Sequence, residues 1–247
     1  MKKKVVLLFS LLAFCVLYST DAVTQDARQL LTKVDEIMNA PQDQELLISI
    51  TIIDRRGNQS NRELVLLQKG SDKRLVRFLS PADQKGIAFL SLPNDNLTMY
   101  MPAFGRTRRV AGHVKHTNFA GTDYTYEDME AKKYMDKYVP SLLRDAGNVY
   151  VLELKTRDGI RSDYSKLHMT IRKSDNYPLK IDYFDRRGNN VKRMTSQQIR
   201  DVSGYKIAHR TIMEDLRGGS KTIMEIKSAE FDNNLSDDIF TERYMTR

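Results

Sequence analysis

Leu46-Leu47-Ile48-Ser49-Ile50-Thr51-Ile52-Ile53, Asp54-Arg55-Arg56-Gly57-Asn58 and Arg62-Glu63-Leu64-Val65-Leu66-Leu67-Gln68-Lys69 form an apolar run, a turn and a second apolar run. The first run is rich in Ile, Leu and Thr, which suit a pleated, half-buried surface. In the second, Leu64 and Leu66 share one face while Val65 and Leu67 share the other, as in a strand covered on both sides. Asp54 starts the turn and Gly57 supplies a positive φ. The stretch predicts a β-hairpin.

Beyond it the same punctuation recurs at Gly70-Ser71-Asp72, Pro93-Asn94-Asp95-Asn96, Arg157-Asp158-Gly159, Lys173-Ser174-Asp175-Asn176 and Gly218-Gly219. Between these turns lie short apolar runs at 75–79, 87–92, 97–101, 149–155, 167–172, 179–184, 191–196, 207–213 and 223–231. Short strands at such spacing predict an antiparallel sandwich or barrel, here one meandering, strongly curved sheet. The tip Asp54-Arg55-Arg56-Gly57-Asn58 returns as Asp185-Arg186-Arg187-Gly188-Asn189. The flanking strands do not align, so two similar hairpin tips are expected rather than a duplication.

Two segments break the pattern. Asp26–Ala40 carries Leu30, Leu31, Val34, Ile37 and Met38 on one stripe and predicts an amphipathic helix, capped by Thr24 or Asp26 and ended by Pro41. Ala111–Asp145 lacks alternation. Within it Tyr126–Val139 predicts a short helix, with Met129, Tyr134, Met135 and Tyr138 packing inward. Long insertions of this kind are often lids or binding loops.

The N-terminus begins Met1-Lys2-Lys3-Lys4, followed by nearly unbroken hydrocarbon from Val5 to Tyr18 and the small-residue site Thr20-Asp21-Ala22. This predicts a signal peptide over residues 1–22, cleaved after about Ala22, and a periplasmic mature chain over residues 23–247 forming a single domain. Leu12-Ala13-Phe14-Cys15 approaches a lipobox, but Phe14 stands where a small residue is needed. Cleavage removes three lysines and one aspartate, so the net charge falls from +8 to +6. So modest a charge, spread along the chain, does not mark a nucleic-acid binder. It also removes Cys15, the only cysteine, which excludes disulfides, cysteine nucleophiles and thiolate metal sites from the mature chain.

No nucleophile elbow, phosphate loop or dinucleotide fingerprint is present, and nothing calls for a cofactor. His113 and His116 match no strong metal-ligand spacing. Asp123, Glu127, Asp128 and Glu130 offer carboxylate pairs, which salt bridges explain more simply than glycoside hydrolysis. The sequence supports no catalytic residue.

What remains is apolar surface. Leu97, Met99 and Met101 share one face of their strand, with Thr98 and Tyr100 on the other. A curved sheet fills its concave face with core or with ligand, and both readings stand. As a cavity for an acyl chain, the expected lining or lid is Leu31, Val34, Met38, Leu64, Leu66, Phe78, Phe89, Leu97, Met99, Met101 and Phe104, with adaptable Met side chains among them. Arg106, Arg108 and Arg109 form a basic rim for lipid headgroups or an acidic partner, or a basic edge strand that resists aggregation.

Phe78-Leu79-Ser80-Pro81-Ala82-Asp83-Gln84-Lys85-Gly86-Ile87-Ala88-Phe89-Leu90 resembles the LolA-like outer-membrane lipoprotein-sorting family. The resemblance continues through Tyr100–Arg106, Arg108-Arg109, Phe119–Tyr124, Tyr126–Met129 and Phe240–Tyr244, in the family's order. It implies an α+β fold that is mainly β: an unclosed antiparallel barrel with helices covering its concave face. It also implies a non-enzymatic carrier of lipid or acylated lipoprotein, working between an inner-membrane transporter and an outer-membrane acceptor. The alternative it leaves is a lipid- or lipoprotein-sensing protein that works with an inner-membrane partner.

Overall fold

The computed structural model describes residues 19–247, with side chains from Ala27 onward. The predicted signal segment through Tyr18 lies outside the described residues. Helix α1 spans Ser19–Met38. The first six strands are β1 (Asp43–Ile53), β2 (Gln59–Lys69), β3 (Lys73–Ser80), β4 (Ala88–Leu92), β5 (Asn96–Met101) and β6 (Arg106–Arg109). A helical turn, α2 (Tyr134–Lys137), precedes β7 (Tyr138–Ala146), β8 (Val149–Thr156), β9 (Tyr164–Arg172) and β10 (Pro178–Asp185). The chain then runs through β11 (Asn190–Val202), β12 (Tyr205–Asp215), β13 (Lys221–Phe231) and α3 (Glu242–Met245).

All thirteen strands form one antiparallel sheet in the order β6-β5-β4-β3-β2-β1-β13-β12-β11-β10-β9-β8-β7. Two meanders are therefore joined through β1 and β13, and the ends β6 and β7 do not pair. Residues 110–137 run from one free edge to the other. Inward side chains from both halves, such as Leu64, Phe78 and Phe89 on one and Leu152, Leu167 and Ile181 on the other, belong to a single core. The sheet must curl to bring them together, and the result is the expected unclosed barrel.

Both hairpin tips that share a sequence are built alike. Asp54 Oδ1 accepts from the backbone N–H of Arg56 (2.7 Å) and Asn58 (2.9 Å), and Gly57 sits at φ 88°. Asp185 Oδ1 accepts from the N–H of Arg187 (2.9 Å) and Asn189 (2.9 Å), with Gly188 at φ 83°.

Helix α1 differs from the predicted Asp26–Ala40 at both ends. It runs through Thr24 and Asp26, because neither Gly nor Pro interrupts residues 19–38. It stops before Ala40, where Pro41 disfavours helical backbone in the residue before it. The Asn39 amide and side chain both donate to the Asp35 carbonyl (3.0 and 2.8 Å), closing the last turn.

The helix predicted over Tyr126–Val139 shrinks to Tyr134–Lys137. Thr125 and Asp128 exchange backbone-to-side-chain hydrogen bonds (Thr125 N–H to Asp128 Oδ2, 2.8 Å; Asp128 N–H to Thr125 Oγ1, 3.1 Å), which competes with helix formation. Val139 precedes Pro140 and turns extended, and proline is tolerated because β7 is an edge strand.

Residues Ala27, Leu31 and Val34 of α1 are fully buried against the concave face. The crossing segment adds Phe119, whose ring centroid lies 5.7 Å from Phe78, 5.5 Å from Phe89 and 5.4 Å from Tyr126. On the convex face, Leu67, Leu75, Ala88 and Leu90 pack against Phe240 and Met245 from the C-terminal segment. This second layer explains why β2 is apolar on both faces.

Candidate functional site

Strand β5 places Met99 and Met101 on its concave side, and the turn Pro102–Phe104 carries the chain over to β6. Gly105 closes that turn at φ 59°, a left-handed conformation that glycine adopts without a Cβ clash. In the β5–β6 register Met99 faces Arg108 and Met101 faces Arg106. The Thr107 hydroxyl donates to Glu242 Oε2 (2.8 Å) on the convex side, so alternation sets Arg106 and Arg108 on the concave side.

Val110, Ala111, Val114 and Tyr126 of the crossing segment face these residues across a cavity of about 310 Å³. Phe104 stands at its mouth, 57% exposed, with the Arg108 guanidinium 5.7 Å from its ring centroid. The Tyr126 hydroxyl donates to the Met99 sulfur (3.0 Å) and fixes the inner wall. None of Arg106, Arg108 and Arg109 forms an ion pair among the described residues. The arrangement is an apolar slot whose edge strand carries three uncompensated cations. Chemically it suits an acyl chain with an anionic end.

Of the expected lining, the structure brings together Met99, Met101, Phe104, Arg106, Arg108 and Arg109 at this slot. Leu31, Val34, Leu64, Leu66, Phe78, Phe89 and Leu97 lie instead in the close-packed core beneath α1 and the crossing segment. Met38 is partly exposed at the end of α1, over a separate cleft beside Asp35 and Tyr134. Val110 and Val114 were not singled out from the sequence, although an i, i+4 apolar pair in an otherwise polar stretch is a usable signal.

The crossing segment is held by buried polar contacts. Asp35 on α1 accepts the backbone N–H of Tyr134 (2.8 Å) and Met135 (2.9 Å), and burial raises its carboxyl above the ordinary range. Arg74 of β3 is sequestered, donating to Gln68 Oε1 (2.7 Å) and the Met129 carbonyl (3.1 Å), and burial lowers its guanidinium to about 10.

The acidic residues of this segment are engaged by the scaffold. Asp123 accepts from Ser220 (2.5 Å) and Thr222 (2.6 Å), and Glu130 pairs with Lys115 (2.8 Å). Asp128 accepts from the Tyr164 hydroxyl (3.2 Å) and lies 3.4 Å from the Lys192 ammonium. Glu127 accepts from Ser162 (2.5 Å) and pairs with Lys137. Burial opposes its ionisation, yet Lys137 and these hydrogen bonds hold it below the usual carboxylate range. Salt bridges and hydrogen bonds thus account for all four carboxylates. His116 Nδ1 faces Asp163 (3.3 Å) and Glu127 (3.6 Å).

A family model described as "Uncharacterized protein" matches residues 70–247. No curated protein matches the chain in a sequence search. Among solved structures, a domain from Vibrio parahaemolyticus assigned to outer membrane lipoprotein sorting superposes with TM-score 0.81 at 26% identity, covering 90% of this chain and 100% of that one. A DUF1329 family protein from Desulfovibrio piger gives TM-score 0.85 at 24% identity, covering 90% and 99%. A LolA superfamily protein from Nitrosomonas europaea gives 0.76 at 24%, covering 88% and 98%.

Proposed function

The chain belongs to the family whose model spans residues 70–247 and shares the fold of the LolA-like lipoprotein-sorting proteins, and from this premise we propose that it is a periplasmic carrier of acyl chains. The observation that carries the reading is the slot between β5, β6 and Val110–Val114, with its Met-rich wall and basic rim. Its volume of about 310 Å³ sits at the small end of the roughly 300–1,000 Å³ typical of ligand sites. It therefore shelters part of one acyl chain rather than a whole lipid.

Each buried methylene contributes about 0.8 kcal/mol, so roughly ten of them supply about 8 kcal/mol before costs. Lost translational and rotational freedom takes back at least about 4 kcal/mol. The remainder corresponds to binding weak enough to reverse, as a carrier requires. Arg106 and Arg108 meet the carboxylate or phosphate of the cargo, with Arg109 adding charge at the end of the strand, and the role is binding rather than catalysis. In this reading residues 1–22 direct export and residues 23–247 form one carrier domain. The cargo is lipid or an acylated lipoprotein, received from an inner-membrane transporter and passed to an outer-membrane acceptor.

The test is native mass spectrometry of the protein from a periplasmic extract, followed by solvent extraction and lipid identification. A stoichiometric acyl lipid supports the proposal, as does loss of fluorescent fatty acid binding in Met101→Asp and Val114→Asp with an unchanged melt. A clean apo mass together with no fatty acid binding overturns it.

A further inference from the structure

Strands β2, β1, β13, β12, β11, β10, β9 and β8 are consecutive neighbours in the sheet, so their four hairpin connections, 54–58, 215–220, 185–189 and 157–163, emerge at the same end. They also touch. A Cβ on Gly219 would lie 3.9 Å from that of Arg55, and a single cleft is walled by Asp163, Arg186, Arg187 and Arg217. Together the four connections hold seven arginines against five aspartates.

Three of those aspartates are folded back onto their own turns. Asp54 and Asp185 accept backbone N–H groups as described above, and Asp215 Oδ1 accepts the N–H of Arg217 (2.9 Å). Two of the arginines are scaffold: Arg157 donates to the Met135 carbonyl (3.0 Å) and Arg186 to the Ser162 carbonyl (2.9 Å). The other five, Arg55, Arg56, Arg161, Arg187 and Arg217, are exposed, and their guanidiniums make no ion pair or hydrogen bond among the described residues.

The opposite ends of the same strands are organised differently. There Lys173 pairs with Asp145, Arg172 with Asp175 (2.7 Å), and Lys206 with Asp175 (3.0 Å) and Asp201 (3.6 Å). At that end the turn-proximal Arg172, Lys173 and Lys206 are paired, while Arg200 and Lys227 stand exposed within their strands; the other end carries five unpaired arginines at its loop tips. This arginine-bearing end also shows two large apolar side chains at loop tips, Ile160 (39% exposed) and Leu216 (43%), each directly followed by an unpaired arginine, Arg161 and Arg217.

We propose that this arginine-bearing end docks on an anionic phospholipid surface, with Arg55, Arg56, Arg187 and Arg217 meeting lipid phosphates and Ile160 and Leu216 entering the interface. Exposed arginines attract a negative leaflet, and apolar tips interleaved with them gain by leaving water. A flat acidic protein surface would use the arginines but gives no reason for exposed Ile160 and Leu216. The face is separate from the acyl slot and does not depend on the slot's being occupied.

The experiment is co-sedimentation of the protein from periplasmic extract with phosphatidylcholine vesicles, with and without phosphatidylglycerol, over a range of salt. Binding is expected only with phosphatidylglycerol and is expected to weaken as salt rises. At about 1 kcal/mol per arginine near such a surface, Arg55→Ala, Arg187→Ala and Arg217→Ala combined lower the partition coefficient roughly 100-fold. Leu216→Ser alone lowers it roughly tenfold. All these side chains are exposed, so the variants keep the wild-type melt.

Lys173→Ala and Lys206→Ala at the other end leave vesicle binding unchanged. The proposal is overturned if phosphatidylglycerol vesicles do not sediment the protein, if the triple variant binds like wild type, or if the two lysine variants lose as much. The two readings separate by fluorescent fatty acid binding. Variants of Arg55, Arg187 and Arg217 that lose vesicles but keep fatty acid support both. Wild-type protein that binds vesicles but no fatty acid defeats the carrier reading alone.

Discussion

Asp35→Ala cuts the tie between the two covers of the barrel interior. The carboxylate lies buried on α1 and accepts the Tyr134 and Met135 amides at 2.8 and 2.9 Å, so it joins the helix to the end of the crossing segment. Hydrogen bonds to a charged partner contribute about 1.5–3 kcal/mol each, and the alanine also leaves two N–H groups without an acceptor. Against this stands desolvation of the carboxylate, which is strong enough to raise its pKa despite both amides. The net loss is then about 2–4 kcal/mol. A domain of this size shifts its melt by about 2–4 °C per kcal/mol, so a fall of roughly 5–15 °C is expected by calorimetry. Hydrogen exchange at Tyr134 and Met135 should accelerate in the same variant. A variant that melts with wild type and protects both amides refutes the tie.

The same residue has a pH signature. Because burial raises its pKa in the folded state above 3.8, the folded protein holds this proton more tightly than the unfolded chain does. Its contribution is fully present below the unfolded pKa and is lost as pH rises through the folded one. Asp35→Asn removes that loss. The stability difference between wild type and Asp35→Asn should therefore move in favour of the variant as pH climbs from about 4, and a difference that is flat with pH refutes the assignment.

Leu31→Asp or Val34→Asp places a charge at a fully buried position and should cost about 4 kcal/mol or more in urea unfolding, since α1 packs on the concave face. Glu127→Gln leaves Lys137 without its anion and should destabilise by about 3–5 kcal/mol. As Glu127 titrates below its ordinary range, its contribution is present near neutrality and lost on acidification, so wild type and variant should converge at low pH. Ending the chain at Ser236 uncovers Leu67, Leu75 and Leu90 on the convex face, which should raise binding of an apolar dye and lower the melt. In hydrogen exchange, residues 111–114 should open before residues 30–37, and a bound fatty acid should protect the former.

The sheet was legible because its evidence is local. Alternation at Leu64–Leu67, the paired tips at Asp54 and Asp185, and turn residues at short intervals each mark a strand end without reference to distant contacts. The double-faced apolarity of β2 even announced a second layer, though not that Phe240 and Met245 supply it. What could not be read was whatever depends on the chain's path between the two free edges. Tyr126–Val139 carries helix-compatible spacing, but the Thr125–Asp128 exchange and Pro140 decide its backbone. Asp35 carried no signal in the sequence because its partners are backbone amides 99 and 100 residues away. Half the slot was legible for the same reason as the sheet, since Met99, Met101 and the β6 arginines lie on adjacent strands. Its other wall comes from the crossing segment, whose position no periodicity encodes.

Which cover yields to a ligand follows from what each one buries. Lifting α1 would return Ala27, Leu31 and Val34 to water, all fully buried, at about 1.5–3 kcal/mol for each large aliphatic side chain, and would break both Asp35 bonds. Moving the start of the crossing segment disturbs far less. Val110 is buried and Val114 only partly so, while Ala111, Gly112 and His113 are already exposed. Past Val114 the segment is anchored by Lys115, buried and paired with Glu130 (2.8 Å), then by Phe119 among three aromatic rings and by Arg62, which donates to the Ala120 carbonyl. The soft portion is therefore bounded: residues 111–114 form a short loop between β6 and the buried Lys115, beside Met99 and Met101. In the carrier reading proposed above, the slot widens there, and α1, with its three buried side chains and the Asp35 bonds, stays in place.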